Sequence, residues 1–182
     1  MGNFAKILLL MVVMLPSMQA EAQKEATPVT ATNAVYLELL GNGVYYSINY
    51  ERMFFQKGII RAAARVGVGA LPWRMGSGSY LKAAIPVELI GLLGKSKHFL
   101  EAGVGYTPFL VPWSGSVGSA IDDEFKSYII RSRIPFRIGY RYQKPAGGFF
   151  FRAAYMPTLD YTPGWSSHLQ LINVGVSVGK SF

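Results

Sequence analysis

The chain has 182 residues, 51% of them hydrophobic, with 20 glycines, 11 tyrosines, 11 phenylalanines and no cysteine. That length suits one domain with a sizeable interior, and the missing cysteines exclude disulfides and thiolate metal sites and argue against a lipid-anchored N-terminal Cys. A formal charge of +8 would suit nucleic acid, but the basic residues form neither a run nor a helical face, so no nucleic-acid partner is expected.

The first element resembles an export signal. Lys6 precedes the apolar run from Ile7 to Leu15, Pro16 breaks it, and Ala20-Glu21-Ala22 offers a cleavage site before Gln23. The run is too short to cross a bilayer as a helix, and no later stretch is long enough. Residues 1–22 are therefore read as a cleaved signal peptide. Residues 23–32 are polar and contain Pro28, which predicts a flexible tail.

From Asn33 onward the chain alternates with period two, the mark of strands with two unlike faces. Val35, Leu37 and Leu39 alternate with Tyr36 and Glu38, and Val44, Tyr46, Ile48 and Tyr50 with Ser47, Asn49 and Glu51. Ile60, Ala62, Ala64, Val66 and Val68 alternate with Arg61, Arg65, Gly67 and Gly69. Leu81, Ala83, Ile85, Val87 and Leu89 alternate with Lys82, Pro86 and Glu88. Leu100, Ala102, Val104 and Tyr106 face away from Glu101, Gly103, Gly105 and Thr107. Ile130, Ile134, Phe136, Ile138, Tyr140 and Tyr142 oppose Arg131, Arg133, Pro135, Arg137, Gly139 and Arg141, with Ser132 the polar exception in the apolar set. Phe151, Ala153 and Tyr155 oppose Arg152, Ala154 and Thr158. Last, Ile172, Val174, Val176, Val178 and Phe182 oppose Asn173, Gly175, Ser177, Gly179 and Ser181. About eight strands of roughly 8 to 13 residues follow, each long enough to cross a bilayer at a tilt.

One face is apolar with Tyr and Phe; the other carries Glu, Arg, Ser, Thr and glycines. Placing the apolar face in lipid requires a closed barrel, because unpaired backbone groups in hydrocarbon cost several kcal/mol each. Residues 33–182 are therefore expected to form an all-β, transmembrane, antiparallel up-and-down barrel. A two-sheet sandwich or a soluble lipocalin-like carrier would turn the same faces the other way. Loop lengths favour the membrane barrel. Short turns at Phe55–Gly58, Gly94–Lys97 and Lys144–Gly148 alternate with longer connections at Pro72–Ser79, Val111–Tyr128 and Tyr161–Ser167. Gly41-Asn42-Gly43 departs from this, as a tight hairpin on the long-loop side.

These features resemble small Gram-negative outer-membrane β-barrels of the OmpX type. The segments "YLELLGNGVYYSINYERMF", "IPVELIGLLGKSKHFLEAGVGYTPFL" and "FRIGYRYQKPAGGFFFRAAYMPTLD" further resemble uncharacterised outer-membrane barrels of Bacteroidota. The resemblance covers nearly the whole chain after the leader. It implies a multi-pass outer-membrane location, contact with outer-membrane lipids and delivery by the barrel-assembly machinery, which would read the final aromatic, Phe182, as its signal. It brings no catalytic residues.

Chemical motifs are few. Gly175 to Gly179 spells the G-x-S-x-G of a nucleophile elbow, and Val174 to Ser181 nearly spells a phosphate loop. Both need a helix to follow, and too little chain remains for one. Ser166 or Ser167, His168 and Asp160 could compose an acyl-transfer triad of the kind used by lipid A-modifying barrels. Adjacent strand residues diverge, however, so no enzyme is expected. Glu38, Glu51, Glu88 and Glu101 share a face with Arg61, Arg65, Lys82, Arg131, Arg133, Arg137, Arg141 and Arg152. An eight-stranded barrel is just wide enough to be filled by side chains, so this set predicts an ion-pair plug, with a narrow anion-preferring pore as the alternative. Trp73, Trp113 and Trp165 sit near the outer loops as an aromatic belt or a contact patch for a protein or glycan partner. Asp122-Asp123-Glu124 has few oxygen ligands nearby, so no metal is expected, nor a cofactor. A monomer with a structural or interaction role through its loops is the reading these residues support.

Overall fold

Alternation makes every strand two-faced, and closing the sheet decides which face is inside. In the computed structural model, which describes residues 26–43, 45–75, 78–113, 127–161 and 167–182, the inner face is the charged one. The strands are β1 (Asn33–Leu40), β2 (Tyr46–Lys57), β3 (Ile60–Met75), β4 (Gly78–Ala84), β5 (Val87–Leu93), β6 (His98–Trp113), β7 (Ser127–Gln143), β8 (Gly148–Tyr155), β9 (Thr158–Tyr161), β10 (His168–Gln170) and β11 (Val174–Ser181).

β1 pairs antiparallel with β2 on one side and β11 on the other, so no edge is left at the seam. β3 pairs with both β4 and β5, and β7 with both β8 and β9. β4 and β5 form one barrel strand broken at Ile85-Pro86, β8 and β9 another broken at Met156-Pro157, and β10 and β11 a third broken at residues 171–173. The result is an eight-stranded antiparallel meander closed on itself.

Proline lacks the ladder N–H, which explains the first two breaks. They bend the wall without unzipping it. Gly67 N–H donates to the Pro86 carbonyl at 2.8 Å, Phe136 N–H to that of Pro157 at 2.9 Å, and Met156 N–H to that of Asn173 at 2.8 Å.

The outer face is apolar where a soluble protein would be polar. Ile138 is 67% exposed and Leu100 64%, whereas Arg65, Arg137, Arg141 and Arg152 are at most 2% exposed. That inversion excludes the lipocalin-like arrangement and gives the distribution of a transmembrane barrel. Along β7 the outward positions run from Tyr140 through Ile138, Phe136 and Ile130 to Tyr128, an apolar stretch with a tyrosine at each end. At about 3.3 Å per residue and a tilt of about 40° this spans roughly 30 Å, enough for the apolar band of about 25 Å.

Two expectations need correction. The outer strands run longer than the periodicity suggested: β3 and β6 have 16 residues each and β7 has 17. The connections expected at Pro72–Ser79 and Val111–Tyr128 are partly strand: Pro72 and Pro112 pair in register with Leu81 and Tyr128, and the ladder continues past them. The segment expected to be a loose tail is also docked from residue 26 on. Thr27 N–H donates to the Lys95 carbonyl at 2.8 Å, and the N–H groups of Thr30 and Ala31 to that of Pro145 at 2.9 and 3.0 Å. Val29 and Ala31 are buried at that end of the barrel.

The seam between β1 and β11 depends on a small residue. A Cβ on Gly179 would lie 2.1 Å from the Val35 carbonyl oxygen and 2.5 Å from Tyr36 Cα, and the partner backbone cannot yield without losing its pairing. Gly179→Val is therefore expected to destabilise the barrel by about 3 kcal/mol. Gly91→Ala, where the new methyl would find its nearest neighbour at 3.6 Å, should stay within about 0.5 kcal/mol of wild type. Urea unfolding of vesicle-inserted protein compares the two.

Candidate functional site

The lumen is built from strand positions separated by even numbers of residues. Glu38 comes from β1, Glu51 from β2, Arg65 from β3, Glu88 from β5, Glu101 from β6, Arg137 and Arg141 from β7, and Arg152 from β8. All eight side chains are buried. Between them lie inward glycines, whose missing side chains leave the space that long arginines occupy. Gly103 stands opposite Arg137 and Gly139 opposite Glu101.

The eight charges form two closed rings. In the ring farther from the termini, here the outer ring, Arg65 contacts Glu38 at 2.8 Å and Glu88 at 2.5 Å, while Arg137 contacts Glu38 at 2.9 Å and Glu88 at 2.6 Å. In the ring nearer the termini, Arg141 pairs with Glu51 at 2.5 Å and also with Glu101. Arg152 pairs with Glu101 at 2.9 Å and also with Glu51. Every carboxylate bridges two guanidiniums and every guanidinium two carboxylates. Each ring is therefore neutral, and each desolvated charge has two opposite partners, the condition under which burial is tolerated.

Sequence neighbours alone would not have chosen these pairs. Arg141 and Arg152 face each other directly in the β7–β8 register, a like-charge contact. It is tolerated because Glu51 and Glu101 reach them across the lumen. Tyr36 joins the rings: its hydroxyl accepts from Arg65 Nη1 of one ring at 3.5 Å and from Arg152 Nη1 of the other at 2.9 Å, and it donates to Glu51 Oε2 at 3.2 Å. Its ring stacks on Phe150 at 4.9 Å, and the Arg152 guanidinium lies 4.8 Å from the Tyr36 ring centre.

The outer ring is capped by neighbouring polar groups. Ser177 Oγ donates to Glu38 Oε2 at 3.2 Å, and Asn42 N–H to Glu38 Oε1 at 3.4 Å. Gly41, at φ +66°, makes the turn that brings Asn42 there, and a Cβ on it would lie 2.8 Å from Glu38 Oε1. Ser177, the residue at the centre of the G-x-S-x-G match, therefore sits in a straight strand with its hydroxyl on a carboxylate. Neither the elbow nor the phosphate loop has its helix, since β11 runs to Ser181.

The remaining cations of the predicted lumen set do not join the rings. Arg61 lies below them, donating to the Gly94 carbonyl at 2.6 Å, the Thr27 carbonyl at 2.9 Å and Gln56 Oε1 at 3.0 Å. Its guanidinium also rests 4.8 Å from the Phe99 ring centre. Gln143 links the lower ring to the docked segment, accepting from Arg141 Nη1 at 3.2 Å and donating to the Ala31 carbonyl at 2.9 Å. Val29, Met53, Ala63, Ile90, Leu92 and Phe99 form an apolar layer at this end. The inward apolar residues were missed because their strands also carry apolar residues outward.

Lys82, Arg131 and Arg133 line the opposite end. With Tyr45, Phe109 and Asn173 they surround an open cavity of about 430 Å³. Arg133 Nε donates to Asp160 Oδ1 at 2.5 Å. The Asp160 carboxylate named in the triad reading is thus paired with Arg133, and His168 and Asp160 are register partners between β10 and β9. Ser166 lies outside the described residues. Trp165 and Asp122-Asp123-Glu124 do as well. Trp73 and Trp113 fall on the outer ends of β3 and β6, in register with Tyr80 and Ser127.

Phe182 is exposed on the outer face beyond β11, and its backbone closes the seam. Its N–H donates to the Asn33 carbonyl at 2.8 Å, and Asn33 N–H donates back at 3.0 Å. Lys180 also points outward, as do Val174, Val176 and Val178.

No protein-family model matches the chain, and no curated protein sequence is similar to it. Among solved structures, it is similar to the N-terminal β-barrel domain of Pseudomonas aeruginosa OprF, with 13% sequence identity and a TM-score of 0.47. The likeness covers 82% of this chain and 97% of that domain.

Proposed function

We propose that this chain is a monomeric, non-enzymatic outer-membrane barrel that anchors its outer loops in the membrane and does not conduct. The observation that carries this reading is the pair of neutral Arg–Glu rings. They fill the cross-section with side chains that have no uncompensated charge with which to attract an ion. No ring residue lines the basic cavity at the outer mouth, which favours a blind vestibule over an anion-preferring pore. At the other end, residues 26–32 and the apolar layer around Phe99 add a second obstruction. Export by a cleaved leader, insertion by the barrel-assembly machinery and a loop-borne protein or glycan partner complete the reading.

Topology is testable because the chain has no cysteine to remove. With both termini in the periplasm, Ser116→Cys should react with a membrane-impermeant maleimide on intact cells, and Ser96→Cys only after the outer membrane is permeabilised. The reverse pattern would overturn the orientation. Recovery of the protein in the soluble periplasmic fraction would overturn the location.

A further inference from the structure

The barrel's charge is unevenly divided along its axis. At the end that holds the chain termini, Arg52, Lys57, Lys97, Lys144 and Lys180 are all exposed. No side-chain carboxylate accompanies them among the described residues: Glu38, Glu51, Glu88 and Glu101 are spent in the rings, and Asp160 pairs with Arg133 at the opposite mouth. The nearest other acids in sequence, Glu21 and Glu25, precede the described segment. Among the described residues, these five cations therefore have no side-chain carboxylate of their own chain beside them.

Their placement limits the partner. Arg52 and Lys57 belong to β2, Lys97 to the turn before β6, Lys144 to the turn after β7, and Lys180 to β11. In barrel order these elements are spread around the circumference, so the charge makes a ring and not a patch. A single protein or a single glycan strand would cover one arc of such a ring; a lipid leaflet surrounds all of it. Arg52 and Lys180 also lie on the lipid-facing side of their strands. Lys180 stands in register with Phe149, and the exposed Phe54, Phe55 and Phe182 share that rim. Lys57, Lys97 and Lys144 lie at or beyond these aromatics, while Arg52 and Lys180 lie two residues inside Phe54 and Phe182 and can extend outward along them, so all five ammonium or guanidinium heads can reach the level of phosphate groups.

We infer that this rim gathers anionic phospholipid headgroups, phosphodiesters with net negative charge, from the periplasmic leaflet. The inference rests on the outer-membrane reading with periplasmic termini. Each basic side chain near an anionic surface adds attraction that salt screens, so several together should select lipids.

The test uses the full mature chain inserted in vesicles and spin-labelled lipids to read which headgroups are immobilised against the protein. Phosphatidylglycerol should be preferred over phosphatidylcholine by about threefold or more at low ionic strength, with the preference shrinking as salt rises. The variant with Arg52, Lys57, Lys97, Lys144 and Lys180 all replaced by Gln should lose it while still giving the heat-modifiable folded band. Equal immobilisation of both lipids by wild type would overturn the proposal whatever the variant does, as would a preference that salt leaves unchanged. A folded variant that keeps the preference would overturn it too. Binding to isolated cell-wall sacculi without lipid selectivity would assign the rim to peptidoglycan instead. Failure of wild type to insert into any vesicle would overturn the membrane reading itself, and is seen before any lipid comparison is made.

Discussion

Glu101→Ala is expected to destabilise the folded barrel by about 3 to 5 kcal/mol, the cost of leaving buried cations underpaired. In the lower ring Glu101 bridges Arg141 and Arg152, and its loss leaves both on Glu51 alone. No solvent replaces it, because all four side chains are at most 2% exposed. Charge imbalance, and not lost volume, should dominate. Glu101→Ala combined with Arg141→Met removes one charge of each sign and leaves the Glu51–Arg152 pair intact. That double variant should recover more than half of the lost stability. Equilibrium unfolding in urea from vesicles measures both, and a single variant with unchanged midpoint would show that Glu101 is solvated.

Deletion of Phe182 should separate assembly from stability. In the folded barrel Phe182 contributes a mutual backbone pair with Asn33 and an aromatic ring on the lipid side. Losing these from purified, refolded protein should cost only about 2 kcal/mol, two hydrogen bonds at about 1 kcal/mol each. In cells the expected effect is far larger: most of the protein fails to insert, is degraded in the periplasm and lacks the heat-modifiable band. Phe182→Tyr or Phe182→Trp should partly restore insertion. Surface levels that stay normal after deletion would leave Phe182 as an interfacial anchor and nothing more.

Much of this architecture was legible because alternation is a local property. The outward positions of β1, β2 and β11 follow directly from Val35, Leu37, Leu39, Ile48, Tyr50, Val174 and Val176. So do the inward positions of Glu38, Glu51 and Ser177. What alternation cannot convey is distance across the lumen. The pairing of Arg137 with Glu38, 99 residues apart, depends on strand tilt and register all the way around the barrel. For the same reason the cations of one apparent set separate into three levels: Arg61 below the rings, four arginines within them, and Lys82, Arg131 and Arg133 above. The docking of residues 26–32 was illegible for another reason. Most of its anchors use a main-chain group of the segment, against the Lys95 and Pro145 carbonyls or the Arg61, Gln56 and Gln143 side chains, and main-chain groups are the same in every sequence. The connections expected from Pro72 and from Val111 begin later than expected, because a proline with its missing N–H can occupy a ladder position where that donor is not needed.

Whether the rings close the lumen is read most directly from conductance. Purified wild-type barrel, with its folded state verified by heat modifiability, is inserted into planar lipid bilayers and held under an applied potential. The neutral, filled cross-section predicts no steady channels, with any current limited to brief, rare openings. Stable single-channel steps of porin-like size from the wild-type protein would contradict it and would mean that Arg65, Arg137, Arg141 and Arg152 line a pathway instead of blocking one.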